Sequence, residues 1–146
     1  IKWPNDIKIN DKKIAGIMTE IFKMDNIQYI IIGAGINILK SPKISNYQTC
    51  CLKDFKAHLN YESVIVNLVE FYLIEYEMMI NKNYDQILNF FKSKMSNFGS
   101  EIKILYPNGE KKKVFLKNLN SDGSLLIEED GKEKNIFSGR ILNDTN

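Results

Sequence analysis

Arginine is almost missing from this sequence. Arg140 is the only one, and every other member of the 20 basic residues is lysine. Bidentate guanidinium recognition of phosphates or guanines is therefore nearly closed to the chain. Those 20 basic residues face 18 acidic ones for a net charge of +2, which removes any sequence-wide electrostatic case for nucleic acid. Cysteine is scarce too: the two are neighbours, Cys50 and Cys51, which rarely reach disulfide geometry and cannot complete a zinc site. No metal site is expected, and a reduced, cytoplasmic compartment is the natural reading. Histidine occurs once, His58, with no serine or carboxylate constellation around it, so a surface or packing role is expected. No apolar run approaches the length of a membrane span, and no segment reads as a signal peptide.

What is present is an ordinary globular mixture. The 146 residues are 44% hydrophobic and 26% charged, with a mean hydropathy of −0.26, enough for one core or two small ones. The sequence opens at Ile1-Lys2-Trp3, in what reads as the middle of a strand, so the chain is expected to be a piece of a longer one.

Residues 1–39 read as an antiparallel meander. Ile7 and Ile9 alternate with polar neighbours, Asn10-Asp11-Lys12 supplies a turn, and a second strand runs from about Lys13 to Met24. Asp25-Asn26 then turns into a third strand, Gln28 to Leu39, whose run Tyr29-Ile30-Ile31-Ile32 predicts burial. Residues 40–59 show no period. From Glu62 to Ile80, Val64, Leu68, Phe71, Ile74 and Met78 recur at helical spacing, with Asn60 or Ser63 as a cap. A second amphipathic segment, Tyr84 to Met95, aligns Ile87, Leu88, Phe91 and Met95 after the break Asn81-Lys82-Asn83. Both helices are expected to pack. Beyond a boundary at 96–100, the dipeptides Asn108-Gly109, Asp122-Gly123 and Asp130-Gly131 predict hairpins with primed turns between strands near 101–106, 111–119, 124–129 and 132–137. A last strand is expected over Ser138 to Asp144. Such strands would make a small curled sheet or barrel.

Two stretches could carry chemistry. In Lys2-Trp3-Pro4-Asn5-Asp6, Pro4 stiffens the backbone and sets short polar side chains at a strand start. Lys13 opens the next strand, so its ammonium could lie beside them, and Gly16 leaves the backbone bare for a ligand. A lysine and a carboxylate beside a bare backbone patch suit a small anion. The same residues also describe a solvated hairpin with a glycine bulge, and the pattern alone leaves both readings open. The second stretch is Gly33-Ala34-Gly35-Ile36-Asn37. A dinucleotide fingerprint would need a third glycine where Ile38 stands and a helix thereafter, so that reading fails. A strand whose glycines permit close approach, with Asn37 at its end, fits better. Glu110-Lys111-Lys112-Lys113 reads as a solvated hairpin tip, and nothing near Cys50-Cys51 marks a reactive thiol.

Taken together, KWPND at 2–6, the K-x-A-G of Lys13 to Gly16 and the G-x-G-I-N of Gly33 to Asn37 resemble biotin protein ligase, the biotin–[acetyl-CoA-carboxylase] ligase family. The resemblance implies an α+β fold, with an antiparallel or mixed sheet and packed helices related to the class II aminoacyl-tRNA synthetases, here incomplete. A small SH3-like barrel would follow. It assigns residues 1–96 to the latter part of the catalytic domain and 97–146 to the C-terminal domain. The implied activity is ATP-dependent attachment of biotin, through biotinyl-5′-AMP, to a lysine of the biotin carboxyl carrier protein of acetyl-CoA carboxylase. Biotin and ATP would be substrates, with Mg2+ accompanying ATP. Lys13 would be the catalytic lysine. Biotin would meet Lys13, Gly16, Gly33 and Gly35; the adenylate would meet Lys2, Asn5, Asp6 and Asn37. A homodimer through the catalytic sheet is implied, with no membrane or nucleic-acid role for this segment. The family's glycine- and arginine-rich loop and its ureido-binding strands are not among these residues, so the isolated chain is expected to be inactive. A lipoyl ligase relative is the sister reading, although Trp3-Pro4 and Ala15-Gly16 favour biotin. A non-catalytic module for dimerisation or carrier binding is the alternative of another class.

Overall fold

The structure is a computed structural model, and it describes residues 1–45, 47–56, 58–81, 84–95 and 97–142. Its element order is β1 (Asp6–Ile9), β2 (Lys12–Met24), β3 (Ile27–Ile36), a short 3-10 turn (Leu52–Asp54), α1 (Tyr61–Ile80), α2 (Tyr84–Lys94), β4 (Ser100–Leu105), β5 (Lys111–Leu119), β6 (Leu125–Glu129), β7 (Lys132–Ile136) and β8 (Arg140–Leu142). The chain is α+β, with two antiparallel sheets. It divides into two compact units: Lys2 with Pro4–Leu59, and Ile1 and Trp3 with the chain from Asn60 onward. Lys82 and Asn83 of the expected helix break, Ser96 at the expected boundary, and Asn143 and Asp144 of the expected last strand lie outside the described residues.

The unit of residues 4–59 is built on the sheet β1-β2-β3. Its two hairpin turns are what the sequence asks for. Asn10 and Asp11 (φ 48° and 62°), like Asp25 and Asn26 (φ 50° and 63°), put consecutive left-handed residues between strands, the signature of the turn that matches strand twist. The expected burial of Tyr29-Ile30-Ile31-Ile32 is corrected: these side chains are exposed, Ile30 by 58%. The reason is positional. Among the described residues β3 pairs only with β2, at the sheet's edge, and a β-branched run is buried only where another layer covers its faces. The strand also stops at Ile36, three residues before the expected end at Leu39.

The other unit holds the larger core. Its sheet runs β7-β6-β5-β4-β8, with β7 and β8 at the edges, so the described pairings leave it open rather than closed into a barrel. In β4, Ile102 and Ile104 face inward while Glu101 and Lys103 face out. In β5 a bulge at Lys117 resets the alternation, so Val114 and Leu116 are followed inward by Leu119. Ile104, Leu116, Leu125 and Ile127 are fully buried, and Trp3 joins them, its indole N–H donating to the Gly123 carbonyl at 3.0 Å. The hairpins at Asn108-Gly109 and Asp122-Gly123 exist, but their turns are not the expected primed pairs. Only the glycines have positive φ (87° and 82°), each closing a three-residue loop after a tight turn, with Gly109 N bonded to Tyr106 O and Gly123 N to Asn120 O. Asp130-Gly131, with both φ positive, does form the expected turn.

The helices divide. In α2 the predicted face is the covered one: Leu88 and Phe91 pack on the core, and Met95 just beyond it is buried. The expected packing of α1 is corrected, since none of its residues is buried. Only Val64 and Met78 of the predicted stripe are partly covered; Leu68, Phe71 and Ile74 are exposed. Its start follows the prediction, with Asn60 Oδ1 accepting from the amides of Glu62 (2.9 Å) and Ser63 (3.1 Å).

One end of this core is closed by charge. The buried Glu129 carboxylate accepts from Lys112 at 2.7 Å and from Tyr106 Oη at 2.8 Å, and pairs with Lys134. Those donors, Lys112 foremost, hold its pKa down to about 2 from an ordinary 4.5. Burial and the same carboxylate push the Tyr106 hydroxyl up. A carboxyl depressed by folding stabilises fully above its unfolded pKa and loses that contribution as pH falls toward its folded one. Thermal midpoints of the wild type and of Glu129→Gln should therefore differ most above about pH 4.5 and converge near pH 2. A gap that stays constant over that window would rule the network out as a source of acid sensitivity.

Candidate functional site

The site is assembled where β1, β2 and the end of β3 meet the returning segment 42–51. Pro4 sits in a tight turn that Lys2 and Asp6 close by exchanging backbone hydrogen bonds (2.8 and 2.9 Å). Asn5 is fastened to Ile17 twice: it accepts from Ile17 N at 2.9 Å, and its own Nδ2 donates to Ile17 O at 2.8 Å. Asp6 then stands opposite Gly16 on β2.

A bulge gives the spacing Lys13-Ile14-Ala15-Gly16 its meaning. Residues three apart on a regular strand face opposite ways. Here Ile7 pairs with Ala15 and Lys8 with Lys13, leaving Ile14 as an extra residue on β2. The extra residue turns Lys13 onto the face that carries Asp6 and Gly16. Lys13 Nζ consequently meets Asp6 Oδ1 at 2.5 Å, in a pair only partly open to water. A side chain at Gly16 would intrude directly: a Cβ there would lie 3.2 Å from Lys13 Nζ and 3.7 Å from Asp6 Oδ1. Gly16→Ala is expected to leave the thermal midpoint nearly unchanged, because the atom it presses is the far end of a flexible chain. It should nevertheless weaken binding of a small anion at the ammonium about 10-fold, by moving the charge a few tenths of an ångström. Parallel melting curves and anion-binding titrations would check this, and an Ala variant with wild-type affinity would show that the ammonium's place is not critical.

Beside this pair lies a cleft of about 740 Å³, lined by Asn5, Lys13, Gly16, Gly33, Gly35 and Asn37 among the sequence-derived candidates. Gly16 pairs with Gly35 and Gly33 with Met18, so the floor between β2 and β3 is largely backbone. Met18, Ala34 and Ile36 add apolar surface. Lys2 and Asp6 do not line the cleft; Asp6 acts on it only through Lys13. Asn37 Nδ2 donates to Cys50 O at 3.0 Å, so its amide ties the returning segment to the end of β3.

That segment, which shows no period in the sequence, supplies the other wall: Pro42, Ile44, Tyr47 and Thr49. Sequence reasoning missed all of these, and Tyr47, an aromatic in a loop, was the one available signal. Cys50 is buried and burial pushes its thiol pKa up, in keeping with an inert structural cysteine. The Cys51 N–H donates to Asp54 Oδ2 at 2.9 Å and holds that carboxyl below its usual range. Among the described residues no group of three His, Cys, Asp or Glu side chains could hold a metal, and no helix is long and apolar enough to cross a membrane. The cleft thus offers one cation, backed by a carboxylate, over a glycine floor with apolar flanks. Such a site suits a ligand with an anionic group and an apolar or planar body.

Comparison with known proteins meets this geometry. A profile of the biotin/lipoate A/B protein ligase family matches residues 1–37, the stretch that carries Asn5, Asp6, Lys13 and the three cleft glycines. The bifunctional ligase/repressor BirA of Bacillus subtilis is 28% identical over 97% of this chain and 45% of its own length. The chain resembles the biotin protein ligases. The biotin–[acetyl-CoA-carboxylase] ligase of Mycobacterium tuberculosis is 20% identical over 97% of this chain and 52% of its own. The chain thus spans about half the length of the curated relatives it matches. Its fold matches that of part of Aquifex aeolicus biotin protein ligase. The apo structure of that enzyme superposes with a TM-score of 0.79 at 24% identity, covering 97% of this chain and 62% of the other. The same enzyme's complex with biotin and ATP superposes at 0.76.

Proposed function

We propose that this chain contributes the lysine-bearing part of a biotin protein ligase site, in which biotin is adenylated by ATP and passed to a carrier-protein lysine. The observation that carries the reading is the Lys13–Asp6 pair on the wall of a glycine-floored cleft, set there by the Ile14 bulge. In the first step the biotin carboxylate oxygen attacks the α-phosphorus of ATP and pyrophosphate leaves. The Lys13 ammonium would draw the two anions together and stabilise the charge growing on the phosphoryl oxygens. In the second step the carrier lysine's amine attacks the acyl carbon of biotinyl-5′-AMP; an amide forms, AMP leaves and the amine gives up its proton.

Residues follow the chemistry of their places. Lys13, Gly16, Gly33 and Gly35 would meet biotin; Asn5 and Asn37 would face the adenylate, with Lys2 and Asp6 supporting the turn beneath it. Among the described residues no acidic cluster could cage a divalent ion; Mg2+ would enter with ATP, held by the nucleotide's phosphates. The sheet from β4 to β8 would serve as the SH3-like C-terminal domain, the carrier would be a biotin carboxyl carrier protein in the cytoplasm, and a homodimer would form through the β1–β3 sheet.

Biotin-dependent ATP–pyrophosphate exchange tests the reading. The 146 residues alone are expected to be silent, since the family's glycine- and arginine-rich loop is not among them. The same residues joined to the remaining catalytic segment of a relative are expected to be active. The matching profile spans biotin and lipoate ligases alike, so lipoic acid is the second substrate to try. Exchange driven by lipoate but not biotin would move the assignment to lipoyl ligation; exchange with neither would remove the ligase reading.

A further inference from the structure

The Lys13 ammonium has a second neighbour of a different kind. Its Nζ lies over the Tyr47 ring, 5.6 Å from the centroid. Tyr47 reaches it from a segment fastened to Lys13 itself: Lys13 N donates to Gln48 O at 2.9 Å, and Cys50 N donates to Lys13 O at 3.0 Å. Lys13 and Thr49 pair there as a short parallel bridge, the one parallel pairing among the described residues. Thr49 Oγ1 donates to Pro42 O at 2.5 Å and Asn37 Nδ2 donates to Cys50 O at 3.0 Å, so the segment is also tied to itself and to the residue that follows β3.

We propose that Tyr47 is a positioning residue for Lys13, its ring face holding the ammonium at the cleft wall when an anionic ligand draws it from Asp6. The inference rests on the reading that Lys13 serves an anion. A lysine side chain is long and freely rotating, and a single point contact lets it pivot. A second carboxylate would restrain it but would also repel the incoming anion and compete for the charge. An aromatic face attracts a cation through its quadrupole and carries no net charge, so it restrains the ammonium without neutralising it. The backbone bonds between Lys13 and residues 48 and 50 keep ring and ammonium in step.

The test needs no turnover. The folded 146-residue protein is treated with an amine-acylating reagent, and Lys13 modification is timed by peptide mass mapping against Lys40 as internal reference. Tyr47→Phe, which keeps the ring, should label Lys13 at the wild-type rate. Tyr47→Leu should label it about 2- to 5-fold faster, the range a partly exposed contact of this type implies. Tyr47→Gln should behave as Leu does, and serves if the Leu variant unfolds and all lysines accelerate. Equal Lys13 rates in wild type, Leu and Gln would overturn the proposal, as would a Phe variant that behaves like Leu. Because labelling is read without catalysis, absence of biotin-dependent exchange would sink the ligase reading while leaving the Tyr47 result to stand or fall separately.

Discussion

Lys13→Ala, in a form of the protein that shows biotin-dependent ATP–pyrophosphate exchange, is expected to lower the exchange rate by on the order of 10²- to 10³-fold. The size follows from the role proposed for the ammonium. In the proposed first step two anions, a carboxylate and a triphosphate, would have to approach within bonding distance, and among the described residues that line the cleft no second cation is there to share the task. Stability should hardly move. Lys13 stays fastened by its backbone to Gln48 O and Cys50 N in any variant, and the lost ion pair with Asp6 is partly solvent-exposed, worth at most about 1 kcal/mol. Lys13→Arg should rescue poorly, since a planar guanidinium cannot fill the compact space that Gly16 leaves for an ammonium. An Ala variant within about 3-fold of wild type, folded by circular dichroism, would put the chemistry elsewhere; that margin is well below the loss of a single preorganised donor.

The site was partly legible because its residues cluster in the sequence. Asn5, Asp6, Lys13 and Gly16 lie on two strands joined by a turn that Asn10 and Asp11 announce, so their neighbourhood follows from local chemistry. The face on which Lys13 lies was not legible. Alternation alone would set it opposite Gly16, and only the pairing of Lys8 with Lys13 reveals that Ile14 is extra. Tyr47 was hidden for a related reason: a segment without period gives no sign of which strand it returns to. The face of α2 could be read because its apolar stripe is narrow. That of α1 could not, since Ile65, Val66, Leu73 and Met79 add apolar residues all round it and blur the stripe. The run Ile30-Ile31-Ile32 shows the general limit. β-branched residues state that a strand forms, while what covers it is decided by elements elsewhere in space.

Trp3→Ala is expected to remove about 3–5 kcal/mol from the unit that holds the larger core, the range for deleting a buried large aromatic side chain. Trp3 lies inside a cluster with Met95, Leu116, Leu119 and Leu125, 4% exposed, and its indole N–H satisfies Gly123 O. The substitution opens a cavity and leaves that part-buried carbonyl without its donor, two penalties that reinforce each other. Against a typical domain stability of about 5–15 kcal/mol the loss is severe. Trp3→Phe keeps most of the volume and separates the two: losing the hydrogen bond alone should cost about 1 kcal/mol. Urea titrations followed by far-UV circular dichroism are the measurement, since Trp3 is the chain's only tryptophan and its own fluorescence vanishes in both variants. A loss below about 1 kcal/mol for Ala would mean that the site collapses around the gap and the core does not depend on the indole. The expected outcome also reassigns part of a recognised motif. In Lys2-Trp3-Pro4-Asn5-Asp6, Pro4 shapes the turn, Asn5 is fastened to Ile17 at the edge of the cleft, and Asp6 reaches the lysine, whereas Trp3 is a core residue. A motif that marks a reaction is in part a folding instruction, and its most conspicuous side chain here belongs to that part.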